Sequence, residues 1–468
     1  MDCVLTEGDS VRSILGQMKI HPRFSLGFLA TIAAGQLAAG QAITPNANDP
    51  ALAKFNPLPS PQAGGLLLKK GDRLAICGDS ITEQRMYSRI MEDYLTMCAP
   101  ELQISVRQYG WSGETASGFL GRMTNDCLRF KPTVATTCYG MNDHGYRPYE
   151  DRIGQTYRKK SLAILEAFKA NGVRVVQGSP GCVGKMPAWV KTANGNVEDL
   201  NLNLCQLRNI GIELAQQEQD RFADVFWPML TAGVAARTAY GTNFAIAGKD
   251  GVHPGWAGHT VMAFAFLKSL GLSGDVGKLT VDLKQNSMQA SSGHEVLAAK
   301  DGEYQIRSSR YPFCACEPAD MATASYPACG HDSVESDDSI RSALNLVPFN
   351  QTLNHLMLVA TGGSAKSYKV TWGDETKSFT AAELAQGVNL AAEFPANPFG
   401  AAFARVDAAV AAKQAYETKQ IKQEFRSSDA KTDMEGVAAR TEKEREPLAA
   451  AIKNAFVPVT HMVKIVAE

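Results

Sequence analysis

Four short motifs carry residue types that together perform acyl transfer. Gly78-Asp79-Ser80 offers a hydroxyl, Gly113 a backbone N–H, and Gly140-Met141-Asn142-Asp143 a side-chain amide. Asp250-Gly251-Val252-His253 offers an imidazole with a carboxylate three residues before it. A serine becomes a nucleophile when an adjacent base takes its proton. Asp250 can fold back onto the Nδ1–H of His253, fix its tautomer and leave Nε2 for the serine. Ser80, Asp250 and His253 are therefore the candidate catalytic residues. The N–H groups of Ser80 and Gly113 and the amide of Asn142 are the candidate oxyanion hole. Each motif alone has a commoner reading: a helix N-cap for Ser80, a turn glycine for Gly113, a turn for Asn142-Asp143. The ordered set is what carries weight.

Other residues surround these. Asp79, Trp111, Asp143, Tyr146 and Trp189 are candidate substrate contacts, with Asp143 also suited to a purely structural hydrogen-bonding role. Trp111, Tyr146, Trp189 and Tyr240 fall near expected strand ends. They suit a sugar-stacking wall, or are ordinary core and rim aromatics.

The elements that must position these groups alternate. Apolar strands are expected at 73–77, 102–106, 133–139, 173–177 and 223–226. Helical spacing marks 84–98, 116–130, 157–170, 200–218 and 256–270. Strands separated by helices imply βαβ units and a parallel sheet, with the ligand site beyond the carboxyl ends of the strands. All four motifs fall there. Beyond Leu272 the pattern changes to short β-rich runs (279–283, 304–307, 356–360, 368–372) broken by Gly, Ser and Asp, which read as a small antiparallel unit. Residues 401–457 read as a helical hairpin, and 458–468 as a strand returning to the β unit.

At this level the chain resembles the SGNH (GDSL-type) hydrolase superfamily. The signature serine, glycine, asparagine and histidine fall on Ser80, Gly113, Asn142 and His253. Gly78-Asp79-Ser80-Ile81-Thr82-Glu83, Ser112-Gly113-Glu114-Thr115, Gly140-Met141-Asn142-Asp143 and Asp250-Gly251-Val252-His253-Pro254 are similar to the four family blocks. Tyr109-Gly110-Trp111 departs from the family, where an asparagine often precedes the second block. The resemblance covers about residues 68–272. It implies a flavodoxin-like three-layer α/β/α sandwich with a parallel sheet, and ester hydrolysis through an acyl-enzyme. It says nothing of the accessory β unit (273–400) or the hairpin.

Composition narrows the partners. The 468 residues carry a formal net charge of −1, and 45% are apolar. This is globular material for more than one unit, without the basic excess of a nucleic-acid binder. From Met18 the chain shows Lys19, His21 and Arg23, an apolar run from Phe24 to Ala34, and small residues to Ala42. Residues 1–42 thus read as a signal peptide with its start at Met18, followed by a Pro- and Ala-rich linker (43–67). No span of the mature chain is expected to cross a membrane. The protein is expected to be secreted or periplasmic. Cys77 and Cys138 read as core thiols. Cys314, Cys316 and Cys329 form a cluster with room for a disulfide or, with His331, a metal. No cofactor is called for. The expected substrate is a small ester or an acylated polysaccharide, acetyl on carbohydrate foremost. Lipid esters, a metal-dependent phosphoesterase recruiting His144 and His259, and a non-catalytic carbohydrate-binding protein are the alternatives.

Overall fold

The strands β1 (Arg73–Gly78), β2 (Ser105–Gly110), β3 (Val134–Cys138), β4 (Arg174–Gly178) and β5 (Arg221–Ala223) pair in parallel, in the order β2-β1-β3-β4-β5. This computed structural model describes residues 52–315 and 334–468. The expected signal peptide and the positions Cys316, Cys329 and His331 lie outside the described residues, while Cys77 and Cys138 are buried free thiols and Cys314 is buried.

The helices of this half are α1 (Ser80–Glu83), α2 (Tyr87–Met97), α3 (Ala116–Asp126), α4 (Asp151–Ala170), α5 (Val197–Glu218), α6 (Phe226–Tyr240) and α7 (Trp256–Ser269). They form the outer layers. Leu74 and Ile76 share a core with residues of α2 and α7, and Ala75 and Cys77 share the opposite core with residues of α3 and α4. A strand covered on both faces reads as a continuous apolar run, as Leu-Ala-Ile-Cys does in β1. The result is the flavodoxin-like α/β/α sandwich, with strand order reversing at β1.

Several elements differ from their expected positions: the fifth strand, expected at 223–226, is Arg221–Ala223, since Phe226 already opens α6, and the helix expected from Tyr157 begins at Asp151. The helix expected from Gln84 begins at Tyr87, because Arg85 takes a left-handed φ of 58° between α1 and α2. The second strand runs from Ser105, not Leu102, and continues through the polar Arg107-Gln108. Residues 100–102 form a 3-10 turn instead. The helix α6 was hidden by composition, since it is apolar on nearly every side and has no clear face. Within the stretch expected as a linker, Phe55 is buried against Phe226 and Trp227.

Beyond Leu272 the chain builds two sheets. The strands are β6 (Asp275–Asp282), β7 (Ser287–Ala290), β8 (His294–Lys300), β9 (Glu303–Ser308), β10 (His355–Thr361), β11 (Ser367–Trp372), β12 (Glu375–Thr380), β13 (Val388–Asn389) and β14 (Val459–Ala467). Four pair as β13-β10-β6-β7 and five as β12-β11-β14-β9-β8. The unit is not wholly antiparallel, for β6 and β10 run parallel. The C-terminal strand sits in the middle of its sheet, between β11 and β9. Short helices α8 (Ile340–Leu346), α9 (Phe349–Leu353), α10 (Ala381–Gln386) and α11 (Leu390–Glu393) join them. The hairpin is α12 (Gly400–Lys422) and α14 (Met434–Ala455), with α13 (Ser428–Thr432) in its turn.

The hairpin covers the free edge of β2. The Nζ of Lys413 donates to the Val106 carbonyl at 2.5 Å, and the N–H of Gln108 donates to Glu417 Oε2 at 3.2 Å. Arg107 donates to Gln420 and Glu442. Side chains of α12 and α14 thus take the place of a sixth strand, one of the ways an exposed edge is protected.

Candidate active site

Ser80 is the first residue of α1, just beyond the carboxyl end of β1. Asp79 caps the helix, its Oδ1 accepting from the Ile81 N–H at 3.0 Å. The helix α1 crosses the end of β2, and Gly110 permits the approach: a Cβ there would stand 2.2 Å from the Glu83 nitrogen. The loop before α7 folds around its own aspartate. Asp250 Oδ1 accepts from the N–H groups of Val252 and His253, each at 2.9 Å. Its Oδ2 lies 2.7 Å from His253 Nδ1. His253 Nε2 lies 2.8 Å from Ser80 Oγ, across 173 positions of sequence. The Asp250 carboxyl is held below the ordinary range: burial opposes its charge, but the N–H bonds of His253 and Val252 and the imidazole outweigh burial. It therefore stays ionised to orient the ring.

Gly113 and Asn142 lie beyond the ends of β2 and β3. Gly113 has φ +73° and open space around it. Asn142 donates from Nδ2 to the Glu114 carbonyl at 3.0 Å and accepts at Oδ1 from the Tyr146 hydroxyl at 3.2 Å. Its amide is thereby oriented, with a second N–H for another acceptor. Asp143 accepts from the N–H groups of Ala116 and Gly140, both at 3.0 Å, tying the second and third motifs together. Burial raises Asp143 to about 6 against those bonds. Burial likewise raises Asp79 to about 7, opposed by the Ile81 N–H and aided by the charges of Asp143 and Glu114.

The expected aromatics separate. The Trp189 ring is 51% exposed and lies 5.7 Å from the His253 ring, with Tyr146 at 5.6 Å behind it. Trp111 faces the hairpin instead, and Tyr240 packs on Phe244 and bonds Asn345. His144 and His259 are both buried. The first bonds the Met141 carbonyl through Nδ1, and the second bonds the Tyr87 N–H and Gln84. A cavity of about 310 Å³ opens beside His253, walled by Lys249, Asp250, Asp337 and Asp338. Residues that motif reading overlooked join the frame. Gln84 reaches from the end of α1 to the Pro254 carbonyl, and Glu114 receives Asn142. Gln84 immediately follows the first block and Glu114 lies within the second, so both were within reach of a reading that asked what holds each block.

Residues 76–261 match the GDSL-like lipase/acylhydrolase family. An acetylxylan esterase from Geobacillus stearothermophilus is 25% identical over 221 residues, covering 43% of this chain and 94% of that protein. Among solved structures, a gut microbial diltiazem-metabolizing enzyme is 22% identical with a TM-score of 0.67, covering 87% of this chain and all (100%) of its own, so its fold extends through both halves. The Geobacillus acetylxylan esterase Axe2 superposes at a TM-score of 0.36 with 21% identity, covering 44% of this chain and 97% of its own. With the four blocks gathered at the strand ends of an α/β/α sandwich, residues 76–261 form a GDSL-like lipase/acylhydrolase domain of the SGNH type, and the chain is an ester hydrolase.

Proposed function

We propose that this chain is an exported serine esterase that removes acetyl groups from carbohydrate. The observation that carries the catalytic part is the continuous line Asp250 Oδ2–His253–Ser80 Oγ, at 2.7 and 2.8 Å, drawn from opposite ends of the hydrolase segment. His253 Nε2 takes the proton as Ser80 Oγ attacks the ester carbonyl. The N–H groups of Ser80 and Gly113 and the free N–H of Asn142 receive the oxyanion. His253 then protonates the departing alcohol. Water, activated by the same imidazole, attacks the acyl-enzyme and releases acid and serine.

Three features favour acetylated carbohydrate. A relative is named as an acetylxylan esterase. The exposed Trp189 beside His253, backed by Tyr146, offers a face for a sugar ring. The half-buried carboxylates Asp337 and Asp338 beside the imidazole are acceptors for hydroxyls. Export is supported by the basic, apolar and small-residue sequence of the N-terminus. The test is a panel of acetylated oligosaccharides beside p-nitrophenyl esters of increasing chain length, with wild type and Ser80→Ala. The expected result is a steep preference for acetyl and no turnover in Ser80→Ala. Rising activity with chain length would replace the carbohydrate reading with a lipid one. Near-normal activity in Ser80→Ala would overturn the nucleophile.

A further inference from the structure

We propose that the turn end of the C-terminal hairpin is a working part of this site: Lys422 and Arg426 are positioning residues that hold the Gly113 N–H in place. The proposal rests on the reading of Gly113 as an oxyanion donor.

Gly113 cannot hold itself. Ser112 and Gly113 are exposed, the glycine φ is +73°, and a Cβ at Gly113 would meet nothing within 4 Å. A donor that acts on the transition state needs its direction fixed before reaction, so the flanking residues must supply the rigidity. On one side, the N–H and hydroxyl of Ser112 donate to Glu83 Oε2 at 2.5 and 2.6 Å. The other oxygen of Glu83 accepts from Lys422 Nζ at 2.5 Å. Burial disfavours the Glu83 charge, but Lys422 and Ser112 more than compensate and keep it ionised. On the other side, the Glu114 carboxylate takes a two-point bond from Arg122, at 2.6 Å for each. Arg122 also reaches Asp126 at 3.4 Å, and Arg426 grips Asp126 with bonds of 2.8 and 2.6 Å.

Between these two chains stands Trp111. Its ring centroid is 5.4 Å from Lys422 Nζ, 4.9 Å from the Arg426 guanidinium and 5.1 Å from that of Arg122. Such contacts strengthen as they are desolvated, and Trp111 is half-buried. The residues before and after Gly113 are thus both tied to the same turn of the hairpin, Ser112 through Glu83 and Glu114 through Arg122 and Asp126. That turn is anchored to the hydrolase half by Lys413, Glu417 and Arg107 along β2. Neither Lys422 nor Arg426 lies within the segment that matches the family.

The experiment uses the full chain with Lys422→Met, Arg426→Met, Lys422→Arg and Ser112→Ala. Turnover of p-nitrophenyl acetate is normalised to sites titrated with a fluorophosphonate, with thermal melting on the same preparations. A donor displaced by about 1 Å can cost on the order of a hundredfold. We expect kcat to fall about 10- to 100-fold in each methionine variant, with KM within about threefold, since the loss falls on the transition state. Lys422→Arg should recover most of the rate, because arginine can still meet Glu83 and the indole. Ser112→Ala, an exposed change that does not threaten the fold, should lose about 3- to 10-fold in kcat by the same displacement argument. Wild-type kcat per titrated site in Lys422→Met, or in Ser112→Ala should the methionine variants not fold, overturns the proposal. So does a loss accounted for entirely by unfolded protein. If Ser80→Ala is inactive while Lys422→Met is normal, the positioning role alone fails; if Ser80→Ala keeps turnover, the catalytic reading fails first.

Discussion

Replacing Asp250 with asparagine isolates the role of one oxygen. In the wild type, Oδ1 accepts two backbone N–H bonds, from Val252 and His253, and Oδ2 accepts the Nδ1–H of His253. Asparagine has one acceptor oxygen. Turned toward the imidazole, it would set its NH2 against two backbone donors. The favourable orientation keeps the carbonyl on the backbone and points the NH2 at Nδ1. His253 must then carry its proton on Nε2 and present a lone pair at Nδ1. Nε2–H faces Ser80 Oγ at 2.8 Å and cannot take the serine proton. The loop geometry survives, and the base is lost. The same substitution in a chymotrypsin-type triad lowers kcat by about ten-thousandfold, which is about 5.4 kcal/mol of barrier. The expectation for Asp250→Asn is therefore a fall of ~10³–10⁴ in kcat on p-nitrophenyl acetate at pH 7.5, with KM little changed and thermal midpoint near wild type. An Asp250→Asn enzyme that keeps a tenth of wild-type kcat would show that the ring does not need this carboxylate, and the tautomer argument would fall.

Asn142→Ala removes an oxyanion donor and should cost about 2.7–4 kcal/mol in the barrier, read as a 10²–10³-fold drop in kcat; a change under about fivefold would remove it from the hole. Trp189→Ala should lower kcat/KM on acetylated oligosaccharides about tenfold relative to p-nitrophenyl acetate, the scale of one aromatic stacking contact, and an equal effect on both substrates would deny the sugar platform. Stability should fall with acid through the accessory sheets. There Trp372 Nε1–H donates to His461 Nδ1, His461 Nε2 bonds Ser308 Oγ, and Ser308 bonds His294 Nδ1, with His294 Nε2 on the Val276 carbonyl. Both rings are neutral in that chain. Burial, then the other histidine, lowers His461 to about 3, and burial chiefly lowers His294. A depressed base binds fewer protons folded than unfolded, so its contribution is complete above pH ~6.5 and lost below it. For His461 the loss grows by up to about 1.4 kcal/mol per pH unit until the folded-state value near 3 is reached. His461→Gln should flatten the melting-temperature slope between pH 6.5 and 4.5, and an unchanged slope would exclude this chain as its source.

The site was more legible than the frame that holds it. Ser80, Asn142 and His253 stand out as candidates because each motif is local: an apolar strand, then a turn, then a polar group. Strand β1 was readable for the same reason, being apolar on both faces. Strand β2 was misread because Leu102 and Ile104 look like strand while Arg107 and Gln108 do not. The polar pair belongs to the sheet because its partners, Glu417 and Gln420, arrive from more than 300 residues away. No local pattern announces them. Position near a strand end leaves Trp111 open between a sugar wall and an ordinary rim aromatic, and Lys422 and Arg426 lie beyond any window that could relate them to it. Helix α6 is hidden for a different reason: apolar residues on most of its sides erase the periodicity that reveals an amphipathic helix. Parallel pairing of β6 with β10 was likewise hidden, since the strands are separated by a long excursion and alternation says nothing of direction.

The same long-range contacts bear on whether the catalytic segment can stand alone. Cutting after Leu272 would do more than remove an appendage. Tyr94 bonds the Leu353 carbonyl, and Phe264 packs its ring 6.0 Å from that of Phe349. Arg89 pairs with Asp407, and Lys413 with Glu92, all four side chains at most 5% exposed. Truncation would strip the partners from the buried Arg89–Asp407 and Glu92–Lys413 pairs and open the apolar side of α2 and α7 to water. Charges can recover solvation once exposed, but the aromatic surface cannot, and large new apolar patches promote association. The uncapped N–H and C=O groups of β2 would add a pairing edge. Residues 52–272 expressed alone should therefore aggregate, where the full chain stays monodisperse by size-exclusion chromatography. A soluble, active 52–272 fragment with wild-type kcat would refute both this dependence and the idea that the hairpin helps to order the oxyanion loop.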